Sequence, residues 1–478
     1  MPTENTHTYD VIVIGAGPAG ENVAGGTAAA GLSTLIVENE LIGGECSFWA
    51  CEPSKALLRP VLARADAEHL PGLAPAVGGR LDTEAVLAHR DRITNNWTDD
   101  DQVEWLKSAG VDLRRGHGRL DGPRKVVVTT PDGETVRLRA RHAVAVCTGT
   151  RAALPDLPGI DALRPWTNRE ATSAERPPRR LAVVGGGVVG AEMATAWQAL
   201  GSEVTLLVRG AGLLPHMEAF AGELVADGLR AGGADLRFHT TVSAAERAAD
   251  GTVRITLSDG GELVADEILF AIGRTPHSVH IGLETVGLTP GDWLTTDDTL
   301  TVTSVPGNWL YAAGDINHRA LLTHQGKYQA RIAGAVIAAR AREAALDTGR
   351  WAPHSSTADT EAVPQVVFTD PEIAAVGLTT REAERTGRAV DVVDYEIGSL
   401  AGAVQYRPDY RGTARILIDR DRGTVVGATF AGPGVAELLH SATIAVTGEV
   451  PVDRLWHAVP AFPTISEVWL RLLETYRG

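Results

Sequence analysis

The 478-residue sequence predicts an α/β fold dominated by two strand–turn–helix units of the same kind. Three observations predict it. Residues 9–14 (Tyr-Asp-Val-Ile-Val-Ile) form a short apolar, β-branched run, followed at once by Gly15-Ala16-Gly17-Pro18-Ala19-Gly20 and a small-residue stretch to Ala30. Residues 181–184 repeat the pattern, with Gly185-Gly186-Gly187-Val188-Val189-Gly190 as the turn and residues 191–200 as the helix. Each unit then leads into another strand, residues 34–37 ending in Glu38 and residues 203–208 ending in Arg209.

Each glycine in such a turn has its own reason. The first (Gly15, Gly185) makes the tight turn, the second (Gly17, Gly187) lets a pyrophosphate approach the backbone, and the third (Gly20, Gly190) lets helix pack on strand. Helix N–H groups then hold the phosphates, which makes both units Rossmann-like dinucleotide-binding units. Glu38 is placed to accept from ribose hydroxyls. Arg209 suits a 2′-phosphate that an acid would repel, which points to NADPH at the second unit, with NADH possible; its alternative is an ordinary solvated arginine. Two units imply two ligands, and a flavin dinucleotide with a nicotinamide dinucleotide fits a chain that moves electrons between them.

Bulk properties narrow the class. The net charge of −16 (44 basic against 60 acidic groups) argues against nucleic acid and anionic membranes. Three cysteines exclude a disulfide-stapled secreted scaffold and make a reducing cytoplasm the default. Neither a basic-plus-apolar leader nor a membrane-length apolar run is evident. The expectation is a soluble cytoplasmic protein with no metal site, since no metal-spaced CxxC pair occurs.

Two of the three cysteines fall in Gly43-Gly44-Glu45-Cys46-Ser47-Phe48-Trp49-Ala50-Cys51-Glu52-Pro53-Ser54-Lys55. Five positions apart, they are expected to meet across about one helical turn and to toggle between dithiol and disulfide. Cys147 ends an apolar strand and reads as a small core residue. Glu45 and Glu52 flank the pair with negative charge, which disfavours thiolates.

These motifs, in this order, resemble the flavoprotein disulfide reductases. Gly43 to Lys55 matches Gly-Gly-x-Cys-x4-Cys-x-Pro-Ser-Lys; Cys147-Thr148-Gly149-Thr150 is similar to Ala-Thr-Gly-Ser; Gly273-Arg274-Thr275-Pro276 is similar to Gly-Arg-x-Pro. Tyr311-Ala312-Ala313-Gly314-Asp315 resembles the second flavin motif, and residues 367–372 resemble the opening of a dimerisation domain. The resemblance implies FAD at Gly15, Gly17, Ala19, Gly20, Glu38, Gly44, Lys55, Gly118, Thr148, Gly149, Asp315 and Thr323. It implies a nicotinamide dinucleotide at Gly185, Gly187, Gly190, Arg209, Val242 and Gly273. Cys51 would face the flavin, Cys46 would attack the outside substrate, and Lys55 with Glu192 would tune hydride arrival. It further implies a homodimer, and a chain divided as 1–150 (first FAD segment), 151–275 (nicotinamide domain), 276–350 (second FAD segment) and 351–478 (α+β dimerisation domain), with residues 351–361 as a linker.

One departure stands out. The family's His-Pro-Thr-x-x-Glu reads Phe462-Pro463-Thr464-Ile465-Ser466-Glu467, so a residue that cannot carry a proton takes the acid–base position. Such help is commonly worth about a hundredfold to ten-thousandfold. His457 reads as a loop or core histidine, and Glu467 is left to orient water or substrate. Phe48 and Trp49 either pack the helix or, with Trp456 and Phe462, line an aromatic cleft. Three activities follow: reduction of a small disulfide with acidic, for example aromatic, thiols; reduction of a quinone, dye or metal ion; or a lipoamide-type reaction with another base. The non-enzymatic alternative is an electron-carrying binding subunit.

Overall fold

The computed structural model describes residues 7–478, which fall into two compact units. The first comprises residues 7–52, Thr94–Arg151 and Arg274–Asp359; the second comprises Pro53–Ile93, Ala152–Gly273 and Thr360–Gly478. Residues 53–93 pack with the second unit, and residues 360–478 share that unit with the nicotinamide segment.

In the first unit, strands Asp112–Arg115, Thr34–Glu38, His7–Ile14 and Thr135–Val146 lie side by side and parallel. Leu310–Ala312 adds in parallel to Thr135–Val146, and the hairpin of His117–Leu120 and Lys125–Thr129 extends the sheet antiparallel. The continuous apolar run of residues 11–14 is explained by burial on both faces. Val11 and Val13 enter one core with Val23, Ala24, Ala333 and Ile337 of the helices Pro18–Ala29 and Thr323–Ala341. Ile12 and Ile14 enter another with Leu120, Val126 and Trp309. Each such side chain contributes about 1.5–3 kcal/mol when fully buried.

The segment expected as a linker is built in. Ser356 N–H donates to the Asp298 carbonyl at 2.9 Å, and the buried Asp359 accepts from Arg319 and Gln325, each at 3.0 Å. A short helix, Ala358–Glu361, lies within it. Its polar composition reflects buried hydrogen bonds, not solvation.

In the second unit, the parallel strands run in the order Asp235–Arg237, Glu203–Leu207, Arg180–Val184, Glu267–Phe270. A three-stranded antiparallel sheet (Val242–Arg247, Val253–Leu257, Glu262–Ala265) shares a core with Ala182, Val184 and Leu207. The C-terminal part is a five-stranded antiparallel sheet whose central strand, Thr424–Gly432, is buried throughout. The helix Leu439–Thr447 follows Gly434, which takes a left-handed φ of 71°, and a 3-10 turn, Val435–Leu438. Among the described residues, no helix is long and apolar enough to cross a membrane.

Candidate active site

The first glycine turn joins the carboxyl end of His7–Ile14 to the helix Pro18–Ala29, at the edge where ligands bind parallel sheets. A Cβ on Gly20 would lie 1.9 Å from the Gly15 carbonyl oxygen, and one on Gly15 would lie 2.5 Å from that of Cys147. Both are excluded by backbone. A Cβ on Gly17 would meet nothing within 4 Å. The second glycine is thus needed for something outside the protein, and open space beside a helix N-terminus fits a pyrophosphate. Glu38 is buried at the end of its strand, where Oε2 accepts from Ala16 N–H at 2.7 Å and Oε1 from Asn39 and Glu40 N–H at 2.8 and 2.7 Å. Burial raises its carboxyl above the usual range while these three bonds oppose the shift.

Several other expected flavin residues gather on this edge. A Cβ on Gly44 would lie 2.9 Å from Gly17 Cα, so the cysteine segment starts against the phosphate turn. Gly118 packs on Val37 and Ile14. Gly314 and Gly326 close on Ala19. Thr148 Oγ1 donates to the His277 carbonyl at 2.8 Å, and His277 N–H donates to that of Gly149 at 3.0 Å. Asp315 accepts from Thr150 Oγ1 at 2.9 Å; burial raises its carboxyl and Arg274 opposes the rise.

Cys46 and Cys51 are both in the thiol form. They do not share one continuous helix. Cys46 lies in Gly44–Trp49, Ala50 breaks the helical path at φ −140°, ψ −97°, and Cys51 opens Cys51–Glu68. The sulfurs still interact through a hydrogen bond. Burial and Cys51 push the Cys46 thiol up, Cys51 most strongly, while a hydrogen bond from Thr323 opposes them. Thr323 Oγ1 also lies 3.1 Å from Cys51 Sγ. Thr323, expected among the flavin contacts, therefore addresses both sulfurs with one hydroxyl. The Cys147 thiol is pushed up to about 12 by burial, as an inert core sulfur should be.

In the second unit, the turn repeats the first. A Cβ on Gly190 would lie 2.0 Å from the Gly185 carbonyl oxygen, one on Gly185 2.2 Å from that of Ala271, and one on Gly187 would meet nothing within 4 Å. Arg209 is exposed just past its strand. Val242 opens the three-stranded sheet and packs against the core beneath Val184 and Leu207. Gly273 holds φ at 136° with open space where a side chain would be. Glu192 is 3% exposed on the helix Val188–Ala199. Its Oε2 lies 2.7 Å from Lys55 Nζ, and its Oε1 accepts from Phe368 N–H at 3.0 Å. Lys55 also stands 5.0 Å from the Phe368 ring centroid. A buried carboxylate is tolerable only with such partners.

The comparisons decide the family. The profile described as pyridine nucleotide-disulphide oxidoreductase matches residues 9–340, and the profile of that family's dimerisation domain matches residues 363–472. The chain belongs to the pyridine nucleotide-disulphide oxidoreductases. It is 31% identical over 472 residues to dihydrolipoyl dehydrogenase 3 of Pseudomonas aeruginosa, covering 96% of each chain. It is 32% identical to the dihydrolipoyl dehydrogenase of Thermus scotoductus, covering 98% of this chain and 97% of that one. The fold matches the solved structure of LpdA from Mycobacterium tuberculosis with a TM-score of 0.82 at 25% identity, over 98% of this chain and 99% of that one. It also matches the HOCl-induced flavoprotein disulfide reductase RclA of Escherichia coli in its Cu(II) complex, with a TM-score of 0.83 at 21% identity and the same coverage. The protein is an NAD(P)H- and FAD-dependent disulfide oxidoreductase with a mixed α/β fold. Among the described residues, no group of three or more His, Cys, Asp or Glu side chains is arranged to hold a metal ion.

The C-terminal segment of this pyridine nucleotide-disulphide oxidoreductase differs from expectation. Glu467 is buried, and Arg471 Nη2 holds its Oε1 at 2.7 Å, while Oε2 is buried without a hydrogen-bond partner. Arg471 thus holds one oxygen of the carboxylate expected to orient water or substrate and leaves the other without a partner. The i, i+4 spacing of Glu467 and Arg471 on one helical path was the available signal. Phe462 is 75% exposed, and His457 is also exposed, not a core histidine. Phe48 is 1% exposed and stacks obliquely with Trp49 at 5.7 Å, so it packs its helix and does not line an open cleft. Arg274 and Thr150 stand inside recognisable motifs, but the sequence around them gives neither a role. Their contacts join residues far apart in the chain, which no local pattern reveals.

Proposed function

We propose that the protein carries electrons from NADPH, through FAD and the Cys46–Cys51 pair, to a small disulfide whose thiols are acidic, as aromatic thiols are. The observation that carries this reading is Phe462 in the acid–base position. A substrate sulfur that leaves readily as thiolate needs no protonating imidazole. FAD, when bound, supplies the two-electron relay between nicotinamide and sulfur. Gly15, Gly17, Ala19, Gly20, Glu38, Gly44, Gly118, Thr148, Gly149 and Asp315 would hold it, and Gly185, Gly187, Gly190, Val242 and Gly273 would hold the nicotinamide dinucleotide. Arg209 would meet a 2′-phosphate.

Cys46 attacks one substrate sulfur and releases the other as thiolate. Cys51 then attacks Cys46, releases the second thiolate, and closes the protein disulfide. One substrate S–S bond is broken, two electrons are delivered, and the two product thiolates take protons from water. Thr323 Oγ1 steadies the sulfurs through this exchange, and the Lys55–Glu192 pair presents a fixed cation. Glu467 keeps its segment anchored through Arg471. The reading includes a homodimer through residues 363–472 and work in a reducing cytoplasm, in line with three cysteines and no stapled scaffold.

The test is a substrate panel of lipoamide, glutathione disulfide, aromatic disulfides, quinones and dyes, with NADPH and NADH, on wild type and Cys46→Ser. Aromatic disulfides should be reduced fastest, and Cys46→Ser should abolish that activity while nicotinamide still bleaches the flavin. Full activity of Cys46→Ser on the best acceptor removes the sulfur relay and leaves a quinone, dye or metal-ion reductase. Preference for lipoamide returns the protein to the chemistry named for its relatives. No bleaching by either nicotinamide leaves only a binding role.

A further inference from the structure

Glu45 stands immediately before Cys46, in the first turn of the helix Gly44–Trp49. The helix dipole favours a carboxylate there, but a carboxylate beside a thiol opposes its ionisation. The structure gives this carboxylate a partner. Arg274 Nη2 lies 3.2 Å from Glu45 Oε2 and donates to the Thr150 carbonyl at 2.9 Å. Arg274 Nε donates to Thr150 Oγ1 and lies 3.8 Å from Asp315 Oδ2. Thr150 Oγ1 in turn donates to Asp315. All four residues belong to the first unit. One guanidinium thus faces two carboxylates, one beside the outer cysteine and one in the second flavin motif. The Arg274 and Glu45 side chains are 22% and 23% exposed, so solvent screens the pair only in part.

We propose that Arg274 is a positioning residue for Cys46: it draws the Glu45 carboxylate away from the sulfur pair and neutralises it, so that Cys46 stays ionisable for attack. The fork of the guanidinium is what allows this. Nη2 reaches both Glu45 and the Thr150 carbonyl while Nε holds Thr150 Oγ1, and an ammonium has no such geometry. Glu52, the other flanking acid, adds its charge against the Cys46 thiolate. This rests on the assignment of Cys46 as the attacking sulfur, and its test needs no substrate.

The FAD-loaded protein, reduced with dithiothreitol and freed of reductant, is alkylated with iodoacetamide across pH 6–10. Adducts at Cys46 and Cys51 are resolved by peptide mass mapping. Arg274→Gln should slow Cys46 alkylation at pH 8 about tenfold and move its pH midpoint up by about one unit. Adding Glu45→Gln should restore the rate to within about threefold, and Glu45→Gln alone should stay near wild type. Arg274→Lys, the milder variant should Arg274→Gln not fold, should be slowed about threefold. An unchanged midpoint in the Arg274 variant that folds, or no rescue by Glu45→Gln, overturns the proposal. A failed substrate panel with this pattern intact would discard the proposed substrate and leave Arg274 in its role.

Discussion

The two dinucleotide turns share a backbone and differ in what surrounds it. In both, the first and third glycines are fixed by carbonyl oxygens within 2.5 Å of where a Cβ would sit, and the second faces open space. After the third glycine the first unit has Glu21 and the second has Ala191, which is wholly buried. After the second strand, one has a buried glutamate tied by three N–H groups, the other an exposed arginine. Under the proposed function, the shared turn takes a pyrophosphate and the flanking charges choose between the dinucleotides.

The comparison is broken most severely at the second glycine. Gly17 has φ −70° and Gly187 φ −82°, both open to any residue, so bulk there strikes the ligand and not the fold. Gly17→Val should give a folded but colourless protein. Gly187→Val should stay yellow yet fail to bleach with either nicotinamide. Visible absorbance and circular dichroism check both, and loss of flavin from Gly187→Val would end the assignment of one ligand to each turn.

Next in size is Arg209→Glu, which makes the second unit resemble the first. It should lower the ratio of kcat/KM for NADPH over NADH by about 100-fold, since it removes a charge-assisted contact and adds repulsion. An unchanged ratio would make Arg209 an ordinary surface residue. Phe462→His restores the acid–base group, and should raise lipoamide reduction by about tenfold, below the usual worth of such groups because Arg471 already holds Glu467. No gain would show that shape, not the missing proton donor, sets the substrate.

The smallest effect belongs to Glu21, where burial raises the carboxyl from 4.5 to about 7 despite Lys327 nearby. Below pH 4.5 both folded and unfolded forms are protonated, and nothing is lost. As pH climbs from 4.5 to 7 the unfolded chain ionises first, so stability falls, and above 7 the deficit stays constant. Glu21→Gln should therefore raise Tm at pH 8 by about 2 °C and leave it unchanged at pH 4. Equal Tm values at pH 8 would mean that the carboxyl ionises as freely as in water.

Much of this site was legible before any coordinates. Glycine spacing, the terminal Glu38 and Arg209, and the cysteine pair are short-range patterns whose chemistry depends on neighbours in the chain. The rest was not. Thr323 is 272 positions from Cys51, and Arg274 is 229 positions from Glu45. The expected linker failed for a related reason: serines and an aspartate look solvated in sequence, and only packing shows that Asp359 is buried between Arg319 and Gln325.

The α/β class, the two glycine turns, the cysteine pair and the absence of an imidazole at position 462 can be read along the chain. These follow from steric and chemical limits that act within a few residues: backbone leaves room only for glycine at the first and third turn positions, two neighbouring thiols can close and reopen a disulfide, and phenylalanine has no proton to give. Tertiary structure alone decided that one hydroxyl serves both sulfurs, that Arg471 claims Glu467, and that Arg274 stands between two carboxylates. Those facts depend on which distant side chains share a low-dielectric space, where each buried charge must find a partner.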